Sequence, residues 1–178
     1  MAFTWCVFAA TAIADESGLD LVAPAKTWSD GRLQVSTGID FRPGDEPLEA
    51  LDSGVALVIS LQARASRVHG FIARERYRRE RQLEIRYLPL SRYYQLRDLE
   101  SGDQESYPRL SMLFDELRRA RTLELGLESG EAEAARWQVQ VRARLDISSL
   151  PSPMRLPAWL SGQWRLGSRW HTWRLEED

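Results

Sequence analysis

Alternation of apolar and polar residues at every second position dominates this chain. In VALVISLQARA, Val55, Leu57, Ile59, Leu61, Ala63 and Ala65 share one parity, and polar residues take the other from Ser60 onward. RWQVQVRARLDI is cleaner: Trp137, Val139, Val141, Ala143, Leu145 and Ile147 alternate with Gln138, Gln140, Arg142, Arg144 and Asp146. Shorter runs repeat the pattern with Leu33, Val35, Ile39 and Phe41, and with Leu83, Ile85 and Tyr87. A period of two puts every apolar side chain of a strand on one face. One dry face and one wet face imply antiparallel pairing, and a one-residue slip would invert the strand, so register is well specified.

Breaks in the pattern locate the turns and helices. Asp30-Gly31 tolerates positive φ at both positions and predicts a tight hairpin. Pro43-Gly44 closes the next strand. DEPLEALDSG predicts a short helix over about 46–53, with Asp45 as N-cap and Gly54 as the stop. YPRLSMLFDELRRAR predicts a second over about 108–121, since Leu110, Leu113, Phe114 and Leu117 recur at helical spacing. TLELGL reads as a short strand, and HGFIARERYRRE as either a charged helical turn or a long hairpin tip. WRLGSRWHTW reads as a closing strand over 163–175, and the prolines of LPSPMRLPAW as a rigid corner leading into it. The competing reading of those prolines is an extended ligand segment. The elements sum to a mainly β (α+β) fold, an antiparallel sheet or sandwich of about seven or eight strands with two short helices, forming one domain over residues 15–178.

The first residues alter the setting. MAFTWCVFAATAIA carries no charge, is too short to span a bilayer, and offers a small-x-small site at Ala12-Ile13-Ala14. It reads as a truncated secretory signal peptide over residues 1–14, without the usual basic head. The expectation is a periplasmic chain with no transmembrane helix once matured. A buried N-terminal element is the competing reading, and would make the chain cytoplasmic. Cleavage after Ala14 would remove Cys6, the single cysteine, and with it any disulfide or thiolate chemistry.

Charge is unevenly placed. Residues 1–63 carry a net −6, residues 64–97 a net +7, residues 98–133 another −6, and the remainder +3. One basic stripe therefore lies between two acidic segments. Lys26 is the only lysine, so the stripe is arginine. Its density in RERYRRERQLEIRY nominates Arg74, Arg76, Arg78, Arg79 and Arg81 as a surface for an acidic partner, with an ordinary solvated face as the plainer reading. An exported chain would not meet nucleic acid. Four tryptophans crowd the last part of the chain, and Trp170, His171 and Trp173 join the candidates as an aromatic platform, with core packing as the alternative.

Little points to catalysis. The two histidines, His69 and His171, have no second ligand at metal spacing. Ser168 near His171 lacks the third partner and oxyanion hole that a triad needs. No phosphate-binding glycine loop and no nucleophile elbow occur, so no cofactor is expected.

Ordered motifs carry a family resemblance. Glu49, Ala50, Leu51, Gly54 and Val55 form a helix end, followed by Leu90, Ser91, Arg92 and Tyr94, then Arg144, Leu145, Asp146, Leu150, Pro151 and Pro153, and finally Trp164, Trp170 and Trp173. In this order, over roughly 18–175, the chain resembles the bacterial family catalogued as domain of unknown function 4390. The resemblance implies an exported proteobacterial protein with no catalytic residues and no cofactor. It also implies a gene neighbourhood shared with a membrane sensor kinase similar to nitrogen-regulation kinases. The expected role is a non-enzymatic periplasmic binding or accessory protein for an envelope partner, such as a sensor-kinase ectodomain. A small envelope hydrolase, or a lipid- or glycan-handling protein, is the alternative. A closed apolar cavity or a cleft pairing two carboxylates would favour that alternative; a solid core with a flat basic face favours the first.

Overall fold

A computed structural model describes residues 17–175. The expected signal segment, residues 1–14, lies outside the described residues. Strands β1 (Gly18–Ser29), β2 (Arg32–Arg42) and β7 (Arg121–Glu128) form one antiparallel sheet in the order β1-β2-β7. Strands β3 (Leu57–His69), β4 (Ile72–Leu88), β5 (Tyr93–Asp98), β6 (Gln104–Tyr107), β8 (Trp137–Leu145) and β9 (His171–Leu175) form the second, in the order β6-β5-β4-β3-β8-β9. Helices α1 (Asp45–Asp52), α2 (Leu110–Leu117), α3 (Ser129–Glu133) and α4 (Ser152–Leu160) lie between them in sequence.

The alternating patterns do what their period demands. Leu33, Val35, Ile39 and Phe41 of β2 and Leu123, Leu125 and Leu127 of β7 share one buried core with Leu57, Ile59 and Leu61 of β3 and Val139, Val141 and Ala143 of β8. The Asp30-Gly31 turn forms as expected, both residues at positive φ (51° and 72°), and β1 and β2 pair from Ser29↔Arg32, with a register shift between Ala25 and Val22. HGFIARERYRRE is the long hairpin tip rather than a helical turn: β3 and β4 pair out to His69↔Ile72.

Gly38 lies where β2 runs beneath the end of α2. A Cβ there would sit 1.9 Å from the Arg118 carbonyl oxygen, so only glycine allows this approach. Just beyond, Arg121 turns its guanidinium back onto the open carbonyls of Glu116, Leu117 and Arg119 at 3.0–3.1 Å, closing the helix end where orphan acceptors need donors. Helix α2 therefore stops at Leu117 instead of running to 121, because Arg121 already belongs to β7.

The sequence expectation needs correcting in four details. Asp45 is in the first turn of α1, and Gly44 is its N-cap. The chain has four short helices among the described residues, not two. The proline corner is α4, preceded and followed by short 3-10 turns at Ile147–Ser149 and Gly162–Trp164. Trp164 belongs to the second of those turns, and the closing strand is only His171–Leu175.

Candidate functional site

The outward face of the six-stranded sheet is built from residues of the polar parity. Along β3 these are Ser60, Gln62, Arg64 and Ser66, which pair with Gln82, Glu80, Arg78 and Glu75 of β4 on one side. On the other side they pair with Arg144, Arg142, Gln140 and Gln138 of β8. Central position in the sheet leaves Ser60, Gln62 and Ser66 buried although polar, so their hydrogen bonds are made sideways across the face. Ser60 donates to Glu80 (2.6 Å), Arg142 Nε to Gln62 (3.1 Å), and Arg64 Nε to Gln140 (3.0 Å). Gln62 Nε2 is buried without a hydrogen bond of regular geometry, yet its amide still favours the charge on nearby Glu80.

Trp170 completes the arrangement. After the second 3-10 turn the chain runs along β8, held by Leu145 N–H to the Leu166 carbonyl and Ser168 N–H to the Ala143 carbonyl (both 2.8 Å). This brings Trp170 against two guanidiniums, with the Arg64 and Arg142 Cζ atoms 4.2 and 4.4 Å from its ring centroid. The ring's negative face attracts both cations. Four arginines, 64, 78, 142 and 144, meet two carboxylates, Glu75 and Glu80. The ion pairs between them are long: 3.6 Å for Arg64–Glu75, 4.0 Å for Arg78–Glu75 and 3.9 Å for Arg78–Glu80.

The electrostatics record a surplus of positive charge. Burial, then repulsion from Arg144, Arg64 and Arg78, pushes the Arg142 pKa below its ordinary value. Glu80 is held below the usual carboxylate range, chiefly by the Ser60 hydroxyl and against an opposing burial effect. The face is thus a flat array of guanidinium forks with unused N–H donors, suited to carboxylate or phosphate groups.

The nominated residues divide among four places. Arg78 and Trp170 join this face. Arg79 and Arg81 point the opposite way: Arg79 Nε donates to the Glu124 carbonyl (3.1 Å), and Arg81 pairs with Asp98 while reaching the Thr122 carbonyl. They tie β4 to the free edge of β7. Arg74 and Arg76 are exposed near the hairpin tip. Trp173 packs partly buried on the core, with His171 at its edge (centroids 4.5 Å apart). The sequence reading missed Arg64, Arg142 and Arg144 as partners of Arg78. Their shared polar parity on two strong strands was the available signal, but pairing across β3 was needed to assemble them.

A second niche, of about 150 Å³, lies under β6 and contains Asp98, Glu105, Glu116, Arg81, Arg121 and Tyr107. With Asp103 it holds four carboxylates and two guanidiniums: Arg81 pairs with Asp98, Arg121 with Glu116, and the Tyr107 hydroxyl donates to Glu105 (2.5 Å). Burial and then that hydrogen bond push the Tyr107 pKa well above its ordinary value. These groups hold β5, β6 and α2 together.

Several motif residues serve the fold. Gly54 takes positive φ (85°) after α1, Tyr94 donates to Asp52 (3.1 Å), and Asp146 caps the first 3-10 turn through Ser148. A family model described as Domain of unknown function (DUF4390) matches residues 19–174, nearly the whole chain. No curated protein and no solved structure matches.

Proposed function

The chain belongs to the DUF4390 family, and on that premise we propose that it is a non-enzymatic binding or accessory protein of the periplasm whose basic sheet face engages an acidic partner surface. The observation that carries this reading is the pair of guanidiniums, Arg64 and Arg142, stacked on Trp170 beside Arg78 and Arg144. Stacking fixes a guanidinium plane while leaving its in-plane donors free. Four such cations against two carboxylates repel one another, and an incoming acidic group relieves that repulsion. The basic face, backed by one contiguous cluster of buried apolar side chains, supports this role over an envelope hydrolase or a lipid- or glycan-handling protein. The specific partner proposed is the ectodomain of a membrane sensor kinase, following the gene neighbourhood that the family resemblance implies.

The test uses the chain recovered from the periplasmic fraction as bait for envelope proteins. The triple variant Arg64→Glu, Arg78→Glu, Arg142→Glu is the control. Capture of the kinase ectodomain by the native chain, weakened at least about tenfold by reversal and by added salt, is the expected result. Capture undiminished by reversal, or recovery of the chain from the cytoplasm alone, overturns it.

A further inference from the structure

Helix α4 buries one flank and leaves the other bare. Ala158 is buried, and Met154, one turn earlier, packs partly buried on the core. Leu156, Trp159 and Leu160, spaced at i, i+3 and i+4 on the far side, are 75%, 68% and 78% exposed. Three large apolar side chains on one flank of one short helix make a contiguous patch, which a surface residue of this kind standing alone would not.

The charge around the patch selects its occupant. Between Ile147 and Leu175 the chain carries four arginines and no aspartate or glutamate. Two of those arginines are fixed beside the patch: Arg155 Nε donates to the Leu150 carbonyl (2.8 Å) and Arg165 to the Trp159 carbonyl (2.9 Å). Of the four acidic residues of α1, Glu46 and Glu49 line a groove on the other flank of the helix with Met154, Pro157 and Ala158. Leucines and an indole flanked by arginines are the chemistry of a water–lipid boundary. The apolar groups enter the acyl margin, the indole sits at headgroup depth, and the cations meet lipid phosphates.

We propose that α4 seats the protein on the surface of an anionic phospholipid bilayer through Leu156, Trp159 and Leu160, with Arg155 and Arg165 at the headgroups. The residues of this surface and those of the basic sheet face do not overlap, so either set can be substituted without the other.

Vesicle co-sedimentation distinguishes the outcomes. The native chain is expected to partition onto phosphatidylglycerol-containing vesicles, less onto pure phosphatidylcholine, and less again in high salt. The double variant Leu156→Ser, Trp159→Ser is expected to lose at least about tenfold in partitioning while keeping its melting temperature, since both side chains are already in water. The variant Arg64→Glu, Arg142→Glu is expected to sediment as the native chain does. Absence of vesicle binding, binding unaffected by the α4 substitutions, or binding lost only with Arg64 and Arg142 overturns the proposal. So does an α4-dependent self-association seen by sedimentation velocity without vesicle binding.

Discussion

Asp98 shows how a single side chain can anchor a corner of this fold. It is nearly buried at the end of β5 and accepts from Arg81 and from the backbone N–H groups of Glu100 and Ser101 (2.9 and 3.2 Å). Burial alone would raise its pKa; the Arg81 hydrogen bond and the two backbone donors outweigh that, and the net direction is down. A depressed carboxylate contributes stability that is fully present above its unfolded pKa, about 3.9. That contribution is lost as pH falls through the lower folded value. Asp98→Asn is therefore expected to destabilise the chain by about 2 kcal/mol at pH 7 and to flatten the loss of stability below about pH 4. Urea unfolding at pH 7 and pH 3 checks both; equal losses at the two pH values would remove Asp98 from the acid response.

Among the elements, the meeting of β2 with α2 has the least tolerance. Gly38→Ala places its Cβ on the Arg118 carbonyl, and neither backbone segment can yield without breaking β-pairing or the helix end. A loss of about 2–3 kcal/mol is expected, measured by thermal unfolding against Gly130→Ala, where an added Cβ meets nothing within 4 Å. Legibility also varied by element. Strands β3 and β8 could be read directly because each has a dry side and a wet side. Helix α4 was hidden because Pro151, Pro153 and Pro157 read as a corner, and a residue preceding proline disfavours helix. Pro153 falls in the first turn, where no N–H is needed, and burial of Met154 and Ala158 offsets the cost of Pro157. The basic stripe was legible as charge but not as surface: strand parity sends Arg78 outward and Arg79 and Arg81 to the other sheet.

Across the whole molecule, the two sheets share a core without closing into a barrel. Where β4 approaches β7 and α3, side chains bridge them. Tyr77 donates to Glu131 (2.6 Å), Arg79 to the Glu124 carbonyl, and Arg81 to the Thr122 carbonyl. Arginines that look equivalent in sequence thus differ in what they hold. Arg79→Ala is expected to cost about 1 kcal/mol, whereas Arg76→Ala, at an exposed position, should stay within about 0.5 kcal/mol. Paired urea titrations decide it, and identical midpoints would show that the seam bears no load.

Strand β4 outruns its neighbour. Its backbone over residues 72–81 pairs with β3 on one side, while β5 begins to pair only at Leu83. Among the described residues no strand pairs with the other side of that stretch. Open edges of that kind invite the strands of other molecules, and dense charge along them is a common deterrent. Arg74, Arg76 and Arg78 of RERYRRE set such charge along this stretch, the arrangement expected to deter one copy of the chain from pairing with another there.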